Sequence, residues 1–266
     1  MSGLTFSTIE LLLASGLILA SAGLSLLLSL GIHRALLVAG LRMSVQLLLV
    51  GLVLRFIFES GSPWLTLALL VVMLTAASYE VGARQKFRLS GGWHFALSGA
   101  AVSTATIVVA AFALSTLAST ADWTAPRVVI PIAGIVLGTA MSATSVALNA
   151  LLDGIVAARN GIEAQLALGH SRSEALRPML RKAIHAGSIP VINQMAGAGI
   201  ITLPGIMSGQ ILAGQDPLIA AQSQIYLMFL LSGAAIASIV IAIYIAMLRL
   251  TDDRHRLRLD RLKAHP

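Results

Sequence analysis

Long apolar runs separated by short polar connections organise the whole chain. Each run reaches 18 residues or more, enough to cross a hydrocarbon layer of roughly 30 Å as a helix. The pattern predicts seven membrane spans, at residues 4–30, 36–58, 63–80, 93–118, 128–157, 180–203 and 221–248. We therefore expect an all-α polytopic membrane protein, with one transmembrane domain over residues 1–250 and a basic tail over residues 251–266.

Composition agrees with this pattern. Of the 266 residues, 57% are hydrophobic and 11% are charged, against roughly 25% charged in an ordinary soluble domain, and the mean hydropathy is +0.89. The first run carries only Glu10 as a charge and exceeds the ~7–15 residues of a secretory h-region, so we interpret it as a retained span. The chain has no cysteine, which excludes a disulfide framework, a Cys metal site and a thiol nucleophile.

The positive charges predict the orientation. Fifteen of the 18 Lys and Arg residues follow spans one, three and five or lie in the tail: Arg34, Arg84, Lys86, Arg88, Arg159, Arg172, Arg177, Arg181, Lys182, Arg249, Arg254, Arg256, Arg258, Arg261 and Lys263. Only Arg55 and Arg127 fall on the opposite side, and Arg42 lies inside span two. Cytoplasmic loops concentrate Lys and Arg, so the N-terminus is predicted outside and the C-terminus in the cytoplasm. The same rule explains the net charge of +7 without a nucleic-acid partner.

The longest internal connection, at about residues 158–180, contains the polar stretch EAQLALGHSRSEALRP. Residues 163–168 predict a short helix that Gly169 ends in a left-handed cap. Ser171 and Glu174 have capping-box spacing and predict the start of a second helix, which Pro178 should kink or end. Such a short exposed helix is typical of a segment that docks into a partner's groove, although a solvated loop is the simpler alternative.

The stretch also resembles the coupling loop by which permeases of ATP-binding-cassette (ABC) transporters contact their ATPase. Three more stretches extend the resemblance: GLRMSVQLLLVG at 40–51, VVIPIAGIVLGTAMSA at 128–143 and ITLPGIMSGQILAGQDPLIAAQSQI at 201–225. Together they resemble the small seven-span permeases that include the bacterial Fet-type iron-export permease and the plant aluminium-tolerance transporters. Thr139 departs from the Asn expected in the bacterial pattern.

The resemblance implies a homodimeric permease in a bacterial inner membrane, working with a separate ATPase subunit that binds ATP and Mg²⁺. Consistent with this, none of the three lysines stands in a Gly-Lys-Ser/Thr phosphate loop, so we expect no enzymatic activity and no cofactor in this chain. The bacterial relatives imply export of iron or another metal ion, and the plant relatives imply aluminium tolerance or a nucleotide sugar. The resemblance to ABC permeases assigns ATPase coupling to Glu163, Ala164, Leu168, Gly169, Ser171 and Glu174.

Polar residues within the spans are candidates for the transport pathway, because such groups usually face other helices or a wet cavity. Arg42 and Gln46, four residues apart, share one face of span two, although Arg42 could instead snorkel to the surface. In span six, Asn193 and Gln194 could line the pathway or bond across helices. Pro190 frees a backbone carbonyl nearby.

After span six, the Gly- and Pro-rich run at 204–217 predicts an external or re-entrant turn that could form an outer gate, shaped by Pro204, Gly205 and Gly209. Asp216 before Pro217 is expected to cap the next helix rather than bind an ion.

The spans lack the His, Asp, Glu or thiolate clusters of an iron site. Soft sulfur ligands are limited to Met141, Met195, Met207 and Met228, and methionine in such helices more often fills packing gaps. Any metal ligands remain unassigned.

Two other classes of protein compete with the permease. An ion-coupled secondary carrier needs a carboxylate deep in the membrane, whereas Glu10 and Glu80 lie near the ends of their spans. A membrane-embedded enzyme should show a metalloprotease helix, a nucleophile elbow or paired carboxylates, and the sequence contains none of these. The basic tail could bind anionic lipid, contact the ATPase or only fix the topology.

Overall fold

The computed structural model of the protein describes residues 7–117, 125–252 and 256–264. These residues form nine α-helices: α1 (Thr8–Leu27), α2 (His33–Ser60), α3 (Pro63–Ala83), α4 (Trp93–Leu117), α5 (Pro126–Ala157), α6 (Arg159–Ala167), α7 (Arg172–Gly197), α8 (Gly205–Leu212) and α9 (Pro217–Leu250). Two three-residue strands, β1 (Phe87–Leu89) and β2 (Leu262–Ala264), and a 3₁₀ turn at Leu259–Arg261 complete them. The predicted all-α membrane architecture is confirmed.

Residues 1–62 form one compact unit, a hairpin of α1 and α2. A capping box starts α1, in which the Ser7 and Glu10 side chains each accept the other residue's backbone N–H. Glu10 therefore stabilises a helix N-terminus, as its place at the end of the span suggested. Two residues with positive φ, Ser29 (52°) and Gly31 (74°), turn the chain between the helices.

Residues 63–266 form the second unit, which contains the main hydrophobic core. α5 lies at its centre and packs against α3, α4, α7 and α9. Its buried side chains recur every three to four residues, from Ile130 through Val136, Ala140 and Ala147 to Ile155, so one long stripe of the helix faces its neighbours. Many of these residues are alanines, which let the helix backbones approach closely.

Within the described part of the chain, six helices are long and apolar enough to cross a membrane: α1, α2, α3, α4, α5 and α9. They correspond to six of the seven predicted spans. The predicted span at 180–203 corresponds to α7, which instead runs from Arg172 to Gly197 and carries charged and amide side chains and two prolines. Pro178 was predicted to kink or end the helix. It does not end it, because α7 continues through Pro178 and Pro190. The count of seven spans and the orientation stay predictions.

The structure adds a strand pair that the sequence analysis did not predict. β1, in the connection between α3 and α4, pairs antiparallel with β2 near the end of the chain. Around the pair, the Ser90 amide donates to the Arg261 carbonyl at 2.7 Å, and Arg261 Nη1 donates to the Arg249 carbonyl at 2.7 Å. The segment after α9 therefore folds back against the α3–α4 connection.

Candidate functional site

Close packing of α7 on α5 shapes the candidate site. A Cβ atom placed on Gly187 would lie 2.7 Å from Ala147 Cβ and 2.8 Å from the Ala143 carbonyl oxygen. Real Cβ atoms do not approach so closely, so the backbones can meet here only because residue 187 is glycine. Ser188, also buried, returns its hydroxyl to the Ile184 carbonyl at 2.7 Å, which satisfies it within its own helix.

One turn beyond this contact, α5 and α7 border a polar pocket of about 220 Å³. Its lining comprises Gly138, Thr139, Ser142 and Ala143 of α5 and Pro190, Val191 and Gln194 of α7. Pro190 lacks an N–H, so the Ala186 carbonyl has no helical donor at this point. The side chains that line the pocket thus offer hydroxyl and amide groups, and none of the described residues that line it is charged.

Of the pathway residues predicted in unit two, Gln194 lies in this pocket, while Asn193 is exposed on α7 outside its lining. Ser142 was not singled out from the sequence, although Thr139 and Ser142 stand three residues apart and so share a helix face. Met141, half-buried, packs against the core instead. Arg42 and Gln46 lie one turn apart on α2, both exposed, in the separate first unit.

The methionines that offer soft sulfur have separate surroundings in the structure. Met228 is buried in an apolar cluster, and Met195 Sδ accepts a hydrogen bond of 3.4 Å from the Ser232 hydroxyl. Among the described residues no three His, Cys, Asp or Glu side chains group as metal ligands. Packing accounts for the buried Met228.

The predicted outer turn contains a helix. Pro204 precedes α8 as its N-cap residue, and Gly205 and Gly209 lie within the helix together with the half-buried Met207. Gly214 (φ +90°) ends this segment, after which Asp216 Oδ1 accepts the Leu218 and Ile219 amides at 2.9 and 3.2 Å. The predicted capping role of Asp216 is confirmed. α7 ends at Gly197, before the predicted end at residue 203, and a turn at residues 199–201 follows it.

The connection between α5 and α7 forms a helix, an elbow and a second helix. α6 begins at Arg159, four residues before the predicted start, and Arg159 Nε contacts Glu163 Oε1 at 2.9 Å. Gly169 has a φ of +90°. Its amide donates to the Leu166 carbonyl and the His170 amide donates to the Gln165 carbonyl, both at 3.1 Å. This pair of bonds is a Schellman motif, and the predicted left-handed cap is confirmed.

The second helix starts at the predicted capping box. The Glu174 amide donates to Ser171 Oγ at 3.3 Å, and the Ser171 amide donates to Glu174 Oε2 at 2.9 Å. The Ser171 hydroxyl also donates to Glu174 Oε2 at 2.7 Å. These bonds stabilise the carboxylate and lower the pKa of Glu174 from its ordinary value of 4.5. Both sides of the elbow are therefore fixed by hydrogen bonds.

The exposed side of this element is small and partly apolar. Ala164 and Leu168 face outward, with 80% of Leu168 exposed, whereas Ile162 is buried against the core. α7 then runs without interruption from this elbow to the polar pocket. From Glu174 to Gln194 the helix covers about 30 Å at ~1.5 Å per residue. One helix thus connects the elbow to the pocket.

Comparison with known proteins places the chain among membrane proteins. Residues 8–250 match the model of the uncharacterised protein family UPF0014. A UPF0014 membrane protein of Synechocystis is 36% identical over 73% of this chain and 74% of its own length. The probable iron export permease protein FetB of Escherichia coli is 32% identical over 84% of this chain and 83% of its own. The protein ALUMINUM SENSITIVE 3 of Arabidopsis thaliana is 36% identical over 77% and 72%. No solved structure matches.

Proposed function

This chain belongs to the UPF0014 family of multi-pass membrane proteins, and we propose that it is the permease subunit of an ABC transporter that exports iron or another metal ion. A separate ATPase subunit supplies the energy by binding ATP with Mg²⁺ and hydrolysing it. Two copies of this chain form the pathway, and two ATPase subunits bind their exposed α6–α7 elbows. The name of the E. coli relative supports the substrate class.

The observation that carries the proposal is the α6–α7 elbow. An exposed helix of nine residues, capped on both sides of Gly169 and continuous with the pocket-lining α7, suits a lever better than a solvated loop. ATP binding would close the ATPase pair and move both elbows. α7 would carry that shift to the Gln194 pocket and to the α8 segment behind it.

Co-purification tests the partner. The tagged chain is isolated with the candidate ATPase subunits of its own cell, as the natural sequence and as Glu163→Arg plus Gly169→Leu. We expect the variant to lose the ATPase, because it reverses one exposed charge and forces a branched side chain into the left-handed region. Gly161→Ala is the matched control, since Gly161 lies in α6 with open space around its Cβ position. Failure of the natural sequence to retain any ATPase would instead support a stand-alone carrier.

Transport gives the second test. Gly169→Leu alone should leave the chain in the membrane but uncouple ATP hydrolysis from transport in reconstituted vesicles. Equal transport by Gly169→Leu and the natural sequence would contradict the lever.

The polar pocket favours a second candidate substrate class. Its hydroxyl and amide side chains are uncharged, so they suit the hydroxyl groups of an organic solute, such as the sugar part of a nucleotide sugar, better than a bare cation, which prefers charged oxygen or nitrogen ligands. Vesicle efflux of radiolabelled Fe²⁺ and of a nucleotide sugar, each with Gln194→Ala, would separate the two classes. Loss of efflux for one of them identifies the solute that uses the pocket.

A further inference from the structure

The strand pair of β1 and β2 places two cations directly opposite each other. In its register Phe87 faces Ala264, Arg88 faces Lys263 and Leu89 faces Leu262. Side chains opposite each other in an antiparallel pair have Cβ atoms about 4.5–5.5 Å apart, and like charges in such positions destabilise the pair. A ladder of three residues has few bonds to offset that repulsion, so a compensating anion would stabilise it.

The two cations share a pocket. Arg88 and Lys263 line a cavity of about 250 Å³ together with His94, Leu89, Ser90, Gly91 and Ala264. His94 Nδ1 lies 3.0 Å from the Leu89 carbonyl oxygen, a contact that leaves the second ring nitrogen for another partner. No carboxylate belongs to the lining that the described residues provide.

The nearby carboxylates are engaged elsewhere. Arg258 donates to Asp260 through two bonds of 2.9 and 2.8 Å, which lowers the pKa of Asp260. Asp252 pairs with Arg256 at 3.7 Å, and Glu80 pairs with Arg84 at 2.8 Å. Within the described ranges, Arg88 and Lys263 are therefore left without an ion pair.

One hydrogen bond positions the Arg88 guanidinium and leaves other N–H groups of it available as donors. Its Nη2 donates to the Ala83 carbonyl at 2.6 Å, while its Nε is buried and has no hydrogen-bond partner among the described residues. A buried donor without a partner costs free energy. A bound oxyanion could accept from the guanidinium and neutralise it at the same time.

The start of α4 adds backbone donors beside these side chains. Gly91 and Gly92 have φ values of 69° and 76°, and neither has a side chain that could cap the helix beginning at Trp93. The Phe95 and Ala96 amides donate to the Gly92 carbonyl, which leaves the first two amides of α4, those of Trp93 and His94, to favour an anion. Trp93 is 43% exposed and the Arg249 guanidinium lies 4.3 Å from its ring centre, an arrangement typical of the membrane–water interface.

We propose that Arg88, His94 and Lys263 bind a phosphate group, carried by an anionic lipid headgroup or by a soluble phosphate compound, and that this anion holds β2 against β1. The site is separate from the α6–α7 elbow and does not depend on an ATPase partner. Emptying it releases the end of the chain from the α3–α4 connection.

Ligand titration of the full chain in a nonionic detergent tests the site. The probes are dihexanoyl-phosphatidylglycerol, inorganic phosphate and, as the phosphate-free comparison, dihexanoylglycerol, all at constant ionic strength. The readouts are Tm and the rate at which trypsin cleaves after Arg261 and Lys263. We expect a phosphate-bearing probe to raise Tm and slow cleavage, and Lys263→Ala to weaken its apparent affinity roughly tenfold, as for loss of one charge-assisted bond.

Lys86→Ala is the matched control. Lys86 precedes β1, carries the same charge and lies over the Phe87 ring rather than in the pocket, so its removal should leave the response unchanged. A response to phosphatidylglycerol alone assigns a lipid headgroup, and a response to inorganic phosphate assigns a soluble ligand. The proposal is overturned if neither phosphate probe acts, if Lys263→Ala responds like the natural sequence, or if Lys86→Ala loses the response equally.

Discussion

Gly187 shows how one residue sets the distance between two helices. Its α-hydrogen faces Ala143, Ala147 and Ile239, and the space there is smaller than a methyl group. The pocket lined by Ser142 and Gln194 begins one turn away, so the separation of α5 and α7 at Gly187 also fixes the width of that pocket.

Gly187→Ala should therefore destabilise the second unit by about 1–3 kcal/mol, because the added methyl overpacks a rigid contact. Thermal unfolding in detergent measures the change. Gly154→Ala is the control on the same helix pair. Its Cβ would lie 3.7 Å from Met179 Cγ, an ordinary contact, so alanine should be neutral or slightly stabilising there. Equal effects of the two substitutions would mean that α7 can shift freely on α5.

At the scale of elements, the α6–α7 elbow is fixed by hydrogen bonds on either side of Gly169. The capping box of Ser171 and Glu174 depends on an ionised carboxylate. Since the folded pKa of Glu174 lies below its ordinary value of 4.5, the stabilisation is fully present above that pH. It is lost as the pH falls through the lowered folded value.

We expect hydrogen exchange at the Glu174 amide to show the same protection from pH 6 to 8, after correction for intrinsic rates, and progressively less protection as the pH falls below the ordinary value of 4.5. Ser171→Ala should remove about 1 kcal/mol of local protection at neutral pH. Ser173→Ala provides the control, because the Ser173 hydroxyl contacts Ser171 Oγ at 3.1 Å but bonds to no helix amide in the part of the chain that the structure describes, so its loss should have the smaller effect. A pH step near neutrality would assign the effect to a group other than Glu174.

The elbow was predictable because its signals are local. Gly169 as a left-handed cap and Ser171 with Glu174 as a capping box act within six residues, and their backbone geometry follows from chemistry that the sequence displays directly. The contact at Gly187 was not predictable, since nothing nearby in sequence indicates that Ala143 and Ala147 lie opposite. The β1–β2 pair joins segments so far apart that neither FRL nor LKA alone indicates a strand.

At the scale of the whole molecule, α7 decides the topology. Its charged and amide groups separate it from the six apolar helices, yet the distribution of Lys and Arg predicts an odd number of crossings. An odd number of crossings places the elbow and the α8–α9 turn on opposite sides of the membrane. In that topology α7 is the seventh span.

Single cysteines test this crossing cleanly, because the natural chain has none. Leu168→Cys and Gln215→Cys place the thiol at exposed positions before and after α7. We expect a membrane-impermeant maleimide to label Gln215→Cys in intact cells and to label Leu168→Cys only after the membrane is opened. Labelling of both from the same side would contradict a seventh span.

The pairing of β1 with β2 also constrains the time course of biosynthesis. Leu89 and Leu262 are partners, and 262 minus 89 gives 173 residues to be added after Leu89 before Leu262 is complete. At ~5–20 residues per second this takes on the order of ten to thirty seconds. Throughout that interval the edge of β1 has no strand partner, so the α3–α4 connection is open to chaperones and proteases until the ribosome has delivered β2, after the last α-helix.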